Sequence, residues 1–209
     1  VTVTSGDRIL GRSGAVDERG EVDRWAHFVN TFMLDRDGRR VNRRNAQDIF
    51  VPLYNHQIPP GAAQVVHYAL DLPPDLTAPV AVEIQLQYRK FDQEYMQWVV
   101  SQSQPGDQPL RGVEPGRPYV NTLPITTLAA DRVVFPVAGV AETVSNPERD
   151  IPAWQRWNDY GIGLLLEGRG SGGKGEVRQA PEAFARVEDR RQYQHNRRLH
   201  HPIAHRGNT

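Results

Sequence analysis

Apolar and polar residues alternate along much of the first 137 residues, which is the pattern of β-strands with one buried face. The clearest case is the segment from Val80 to Tyr88, where every second residue is Val, Ile, Leu or Tyr and those between are Ala, Glu and Gln. This pattern predicts a central strand whose apolar side lies in the core. An Asp in place of Ile84 is therefore expected to cost several kcal/mol.

Gly, Pro and Asp separate the other β-type segments. Residues 1–12 alternate on both sides of Ser5-Gly6-Asp7 and predict a hairpin, while Trp25 to Leu34 predicts a long strand that ends in a tight turn at Asp35–Gly38. The remaining predicted strands are 49–53, 65–72, 124–128 and 132–137, and the predicted loops are 13–24 and 102–118.

Helical periodicity replaces alternation at two places. Phe91, Tyr95 and Trp98 have the spacing of one helix face, and from Ile151 onward two amphipathic segments, the second at 177–187, flank a glycine-rich linker at 168–175. Residues 190–209 hold four His and few apolar side chains, so they are expected to be disordered. The sequence predicts a mainly β fold: an antiparallel β-sandwich at 1–150, a helical hairpin at 151–189 and a disordered tail at 190–209.

Composition narrows the possible functions. Cysteine is absent, which excludes disulfides, zinc–thiolate sites and covalent c-type haem within these residues. Lys plus Arg and Asp plus Glu number 25 each, so no nucleic-acid partner is expected. No apolar run approaches the ~20 residues of a membrane-spanning helix. The chain opens within an alternating run at Val1, and we expect it to be a piece of a longer protein.

Candidate metal ligands are few. Asp35-x-Asp37-Gly38 resembles the start of an EF-hand loop, but the later ligands are absent, so a hairpin turn is favoured. A weaker calcium site drawing on Asp17, Glu18, Asp23 and Asp35 stays open. His27, His56 and His67 lack metal-binding spacing. A functional metal site at His200–His201 is not favoured, because ordering the tail would cost free energy.

No nucleophile motif, phosphate-binding loop or dinucleotide fingerprint is present, so no catalytic activity is expected. One binding function remains open. Aromatic side chains beside strands usually belong to the core, but five of them could form a stacking platform for a sugar: Trp25, Tyr54, Tyr88, Tyr95 and Trp98.

A family resemblance covers roughly residues 1 to 165. The chain resembles the non-haem region downstream of the haem motifs in bacterial multihaem cytochrome c proteins that also carry tetratricopeptide repeats. The segments that carry the resemblance are Ser13-Gly14, Asp23-x-x-Ala26-His27, Leu34–Gly38, Arg44–Asp48, Ile58–Ala62 and Tyr88–Asp92.

The helical region is similar to a first tetratricopeptide repeat. Gly163, Ala180, Phe184 and Val187 match small and aromatic positions of that repeat, whereas Pro181 and the insertion at 171–175 depart from it. A single repeat does not bury its apolar face by itself, because such repeats are stable only in stacks.

The resemblance implies a non-catalytic structural or interaction domain of a multihaem cytochrome c involved in electron transfer, located in the periplasm or at the cell surface. This chain would hold no cofactor, and haem c would belong to the parent protein. Its partners would be the parent's haem domain and proteins bound through the repeat region. His27 would be a possible axial ligand of a parent haem, although an ordinary hydrogen-bonded histidine is favoured. The alternatives are a carbohydrate- or surface-binding β-sandwich module and, less favoured, a metal-dependent enzyme.

Overall fold

The computed structural model describes residues 1–110, 112–114, 116–167 and 174–186. Within these ranges the elements are β1 (Thr2–Ser5), β2 (Arg8–Arg12), β3 (Thr31–Leu34), a short 3-10 helix (Ala46–Asp48), β4 (Val51–Asn55), β5 (Val80–Tyr88), α1 (Gln93–Ser101), β6 (Thr126–Phe135), α2 (Ala153–Glu167) and α3 (Lys174–Ala185). The described part of the chain is a mixed α and β structure with two antiparallel sheets and three α-helices. The predicted antiparallel sheets are confirmed, whereas a mainly β fold is only weakly supported and the sandwich stays a prediction.

The larger sheet has the strand order β2-β1-β5-β6. The hairpin predicted at 1–12 is confirmed, with Ser5 opposite Arg8 across the turn. β1 pairs only with the first part of β5, from Val80 to Glu83, while β6 pairs along the whole of β5. Beyond Glu83 the sheet is therefore reduced to two strands, and we call residues 84–88 and 126–131 the β5–β6 ribbon.

The burial predicted for β5 is wrong in its second half. The strand has the predicted bounds, but only Val80 and Ala81 are buried, and Ile84 is 49% exposed. Burial in β5 ends about where β1 stops pairing with it, because residues 84–88 have a neighbouring strand on one side only. The core burial on which the predicted cost of an Asp at position 84 rests is therefore absent, and the expected cost is instead the repulsion from Asp131, which lies opposite it.

Two predicted strands are corrected. The strand predicted at 25–34 is confined to β3, because the Asp23 carboxylate accepts a hydrogen bond from the Trp25 N–H at 3.0 Å and holds that residue in a turn, where its side chain is 84% exposed. Residues 65–72 form no strand. Val65 instead packs on the cluster around Leu164, and the Leu70 side chain lies beside Gly11.

β6 joins what the sequence predicted as two strands, at 124–128 and 132–137. The prediction left Ala129, Ala130 and Asp131 outside both strands. These residues pair with Leu86, Gln85 and Ile84 in the ladder with β5, so the strand continues through them.

The three predicted helices are confirmed as elements. α1 begins after Asp92, whose side chain accepts a hydrogen bond from the Tyr95 N–H at 2.7 Å, as an N-cap residue does. α3 begins at Lys174, earlier than predicted, so only 168–173 of the predicted linker remain between the helices, and those residues lie outside the described ranges. Val187 and the tail at 190–209 also lie outside them.

The helices α2 and α3 enclose a small core of Leu164, Ala180 and Ala183, with Val65, Trp157, Tyr160 and Phe184 packed against it. Gly161 leaves room for the Phe184 ring, since an added Cβ would lie 2.7 Å from that ring. Gly163 likewise leaves room for Val65, since an added Cβ would lie 2.6 Å from the Val65 side chain.

The chain forms two compact units. One contains residues 1–28, 33–51 and 68–147, and the other contains residues 29–32, 52–67 and 148–209. The domain boundaries predicted from the sequence stay predictions. None of the helices in the described ranges is long and apolar enough to cross a membrane.

Candidate functional site

The β5–β6 ribbon has one mainly apolar and one polar side. Residues that pair across an antiparallel ladder share a face, which places Leu86 and Ala129 on the side of Ile84, together with Asp131, the partner of Ile84. On the other side the Gln87 amide donates a hydrogen bond to Gln85 at 3.0 Å, and next to the ribbon on that face Glu83 forms an ion pair with Arg132 at 3.2 Å. The ribbon therefore alternates as a half-buried sheet does.

The apolar side of this ribbon is nevertheless exposed. The exposed fractions are 49% for Ile84 and 40% for Leu86, and Leu128 at the adjacent bulge is 60% exposed. Full burial of such a side chain contributes about 1.5 to 3 kcal/mol. This face would therefore gain stability from covering by another surface, which is the physical basis of an interaction site.

The outer edge of β6 is protected at one end. The Asn146 side chain accepts a hydrogen bond from the Val134 N–H at 2.7 Å and donates one to the Val134 carbonyl at 2.9 Å. Asn146 thus takes the place of a neighbouring strand at that position. Exposed strand edges invite pairing with other chains, and side chains that occupy them prevent it.

A second candidate surface lies at the start of α1, where Phe91, one residue before the N-cap, forms a row of rings with Tyr95 and Trp98 of the helix. The ring centroids are 4.9 Å apart for Phe91 and Tyr95 and 5.9 Å apart for Tyr95 and Trp98. The contact between Tyr95 and Trp98 follows from helical spacing, since residues three apart are neighbours on a helix face. Phe91 was predicted on the same helix face but lies just before the helix, which begins at Gln93.

Three cations lie over this row of rings. The Arg44 guanidinium is 4.8 Å from the Phe91 centroid and 5.7 Å from that of Tyr95, and the Arg43 guanidinium is 5.8 Å from that of Trp98. The Lys90 ammonium lies 5.3 Å from the Phe91 centroid. We call Arg43, Arg44, Lys90 and the three rings the arginine–aromatic cluster.

The loop that carries the two arginines is fixed to α1. Arg40 donates to Asp92 at 2.9 Å and to Glu94 at 2.8 Å, and the Asn45 side chain accepts from the Arg43 N–H at 3.1 Å. Arg44 has a φ of +58°, the only positive φ of a non-glycine residue in the described ranges. Such backbone strain persists only where surrounding contacts impose it, and it is often found at binding sites.

The helix α1 is also anchored by buried polar contacts. The Gln93 side chain donates to the Tyr119 carbonyl at 2.9 Å, and the Asn121 side chain donates to the Phe91 carbonyl at 3.0 Å. Burial raises the pKa of the Tyr119 hydroxyl above its ordinary value, and the positive charge of Arg89 opposes part of this rise. These two hydrogen bonds hold the start of α1 against the segment at 119–121.

The structure brings together only part of the predicted sugar platform. Tyr95 and Trp98 are neighbours, whereas the Tyr54 ring stacks on His56 at 4.3 Å. Trp25 belongs to the turn after Asp23, and Tyr88 is the last residue of β5.

Three of the four acidic residues named for the calcium site, Asp17, Asp23 and Asp35, accept backbone hydrogen bonds in turns. Asp17 accepts from the N–H groups of Arg19 and Glu21 at 2.9 and 2.8 Å, and Asp35 accepts from those of Asp37 and Arg39 at the same two distances. The favoured hairpin turn at Asp35 is therefore confirmed. In the part of the chain that is described, no group of three or more His, Asp or Glu side chains is arranged to hold a metal ion.

His27 is half-buried in the irregular segment before β3. Its role as an axial ligand of a parent haem stays a prediction.

Sequence reasoning missed the arginine–aromatic cluster. Its signal was present as five arginines between positions 36 and 44 and as the spacing of the three rings. The long-range contact that joins them was not predictable from either segment alone.

Comparison with known proteins gives no match: no family model, no curated protein and no solved structure resembles this chain at a significant level.

Proposed function

We propose that this chain is a non-catalytic interaction domain that packs against a protein surface through the apolar face of the β5–β6 ribbon. The observation that carries the proposal is the exposure of Ile84 and Leu86 on the apolar side of a ribbon whose opposite side is polar. If both sides of the ribbon faced water in the functional protein, placing apolar residues on one side would add no stability.

The finer proposal is that the partner surface belongs to the same parent protein, a multihaem cytochrome c of electron transfer in the periplasm or at the cell surface. Its support is the resemblance at Leu34–Gly38, Arg44–Asp48 and Tyr88–Asp92. In this proposal the β-strands form a sandwich, the α2–α3 hairpin starts a tetratricopeptide array that binds proteins, and the haem groups lie upstream. Several C-x-x-C-H motifs in the sequence before Val1 are expected, and a signal peptide followed directly by Val1 would refute the parent.

Binding of this chain to the separately produced upstream part of the parent tests the interaction by calorimetry. The variant Ile84→Asp is expected to weaken binding at least about tenfold, which is about 1.4 kcal/mol, because it replaces an apolar contact by a second carboxylate beside Asp131. Gln85→Asp is the matched control, since it adds the same charge to the polar side and is expected to leave affinity within about twofold. Equal losses in both variants would refute the role of the apolar face.

A carbohydrate- or surface-binding module is the second candidate, supported by the contact between Tyr95 and Trp98. Glycan-array binding by the wild-type chain that disappears in Trp98→Ala would favour it over the first proposal. Absence of glycan binding would leave the interaction domain as the better account.

A further inference from the structure

We propose that the arginine–aromatic cluster binds an acidic segment of a partner protein, with Arg43 and Arg44 as the groups that hold its carboxylates. This inference does not rest on the proposed function, because it concerns α1 and the loop before the 3-10 helix and not the face of the β5–β6 ribbon.

The first argument is the charge balance of the cluster. Asp92 and Glu94, the acids at the start of α1, are both engaged by Arg40, and Asp48 accepts from the Asn45 side chain at 2.7 Å. Neither Arg43 nor Arg44 forms an ion pair with any residue that the structure describes. Their positive charges are therefore available to an anion from outside the chain.

The second argument is orientation. A guanidinium over an aromatic ring keeps its planar N–H groups available, and this fork of donors matches a carboxylate. Arg43 and Arg44 are exposed, yet the rings of Trp98, Phe91 and Tyr95 support them from one side. Less side-chain entropy is then lost on binding than for two arginines that move freely in solvent.

The third argument is the backbone at Arg44. A bulky residue with a φ of +58° costs free energy that an Asn or Gly at this position would largely avoid. The neighbouring Asn45 caps the same loop through its contacts with Arg43 and Asp48. The strained conformation places two adjacent guanidiniums over one row of rings, and the geometry thus favours a ligand with two or more negative groups.

The chemistry of the surroundings favours carboxylates of a protein over a polynucleotide. The chain carries equal numbers of acidic and basic residues, whereas polyphosphate binders present an extended basic surface. A short acidic segment needs only a few contacts, and the cluster offers three cations.

Fluorescence anisotropy of a dye-labelled hexaglutamate peptide tests the proposal on the full chain at about 20 mM salt, where charge interactions are weakly screened. Wild type is expected to bind. The double variant Arg43→Gln/Arg44→Gln is expected to weaken binding at least about tenfold, since it removes two charged donors. Arg36→Gln is the matched control, because Arg36 also lies over a ring, that of Phe50 at 5.0 Å, outside the cluster.

The control is expected to change affinity by less than about twofold, and raising the salt to about 200 mM is expected to weaken wild-type binding severalfold. Thermal unfolding of each variant verifies that it is folded. Lack of binding by the wild type, or equal losses in the double variant and the control, would overturn the proposal. Tighter binding of an oligothymidylate than of hexaglutamate at the same salt would also overturn it, in favour of a nucleic-acid partner.

Discussion

Asp17 and Asp35 each begin the same turn, with the sequence Asp-x-x-Gly-x. In both turns the Asp N–H donates to the carbonyl of the fifth residue, at 2.8 and 2.9 Å, and the Gly N–H donates to the Asp carbonyl, at 3.0 and 3.2 Å. The glycines have φ values of +81° at Gly20 and +76° at Gly38. The two turns therefore differ in what surrounds them and not in their backbone.

This similarity provides a matched pair of substitutions. Gly38→Ala is expected to cost about 1 to 2 kcal/mol through its positive φ alone, because nothing lies within 4 Å of an added Cβ. Gly20→Ala carries the same penalty and also brings the Cβ to 2.9 Å from the Asn121 carbonyl oxygen, so we expect at least about 1 kcal/mol more. Urea unfolding measures both. Equal losses would mean that the contact with Asn121 adjusts without cost.

Tyr119 predicts a pH dependence of stability. Its raised pKa means that the native state keeps the hydroxyl proton to higher pH than the unfolded chain does. This contribution is complete below the ordinary tyrosine pKa of about 10 and is lost as the pH rises above it. The free energy of unfolding is thus expected to decline in that range.

In Tyr119→Phe this alkaline decline is expected to be smaller. At neutral pH the variant is expected to stay within about 1 kcal/mol of wild type, because the Tyr119 hydroxyl has no hydrogen-bond partner among the described residues. Tyr88→Phe, at the exposed end of β5, is the control. Urea unfolding across a pH series measures the effect, and parallel curves for wild type and Tyr119→Phe would contradict it.

At the scale of elements, the local sequence pattern predicted where strands and turns lie, but it did not predict which of their side chains are buried. The alternation from Val80 to Tyr88 predicted the bounds of β5 correctly, and Asp-x-Asp-Gly predicted the turn at Asp35. The burial of Ile84 was predicted wrongly, because alternation reports which side chains share a face and not whether that face is covered. The segment at 65–72 failed for a related reason, since it forms no ladder: Val65 packs on the core at Leu164, and Val66, Tyr68, Leu70 and Leu72 are exposed.

The edge of β6 gives a prediction of its own. Asn146→Ala removes both hydrogen bonds to Val134 and leaves that position of the edge open, so we expect concentration-dependent self-association in sedimentation velocity. Ser145→Ala is the neighbouring control and is expected to sediment as wild type does. An Asn146→Ala chain with wild-type sedimentation at all concentrations would show that the rest of the edge is already protected.

At the scale of the whole molecule, residues distant in sequence meet within each unit. The cluster at α1 joins the loop at 43–45 to residues 90–98, and the core at Leu164 recruits Val65. The periodicity of each segment was readable from the sequence. Which segments contact each other could not be predicted, because this depends on how well the surfaces of two distant segments fit together. The periodicity of each segment carries no information about that fit.

Val65 and Val66 test this long-range packing as adjacent residues of the same type. Val65→Ala is expected to cost about 1 to 2 kcal/mol, because it removes apolar contact with the core at Leu164 and Gly163. Val66 is more exposed, and Val66→Ala is expected to cost less than about 0.5 kcal/mol. Equal effects in chemical unfolding would indicate that the helical core does not depend on Val65.

The strand order β2-β1-β5-β6 also affects when the sheet can form during synthesis of the chain. Ser5 pairs with Val80, so β1 cannot enter its place in the sheet until β5 has been made. At about 5 to 20 residues per second, a ribosome needs about 4 to 15 s to synthesise the intervening chain. During that interval the β1–β2 hairpin is a nascent element with an open edge, and we expect this chain to depend on chaperones during translation more than its length would suggest.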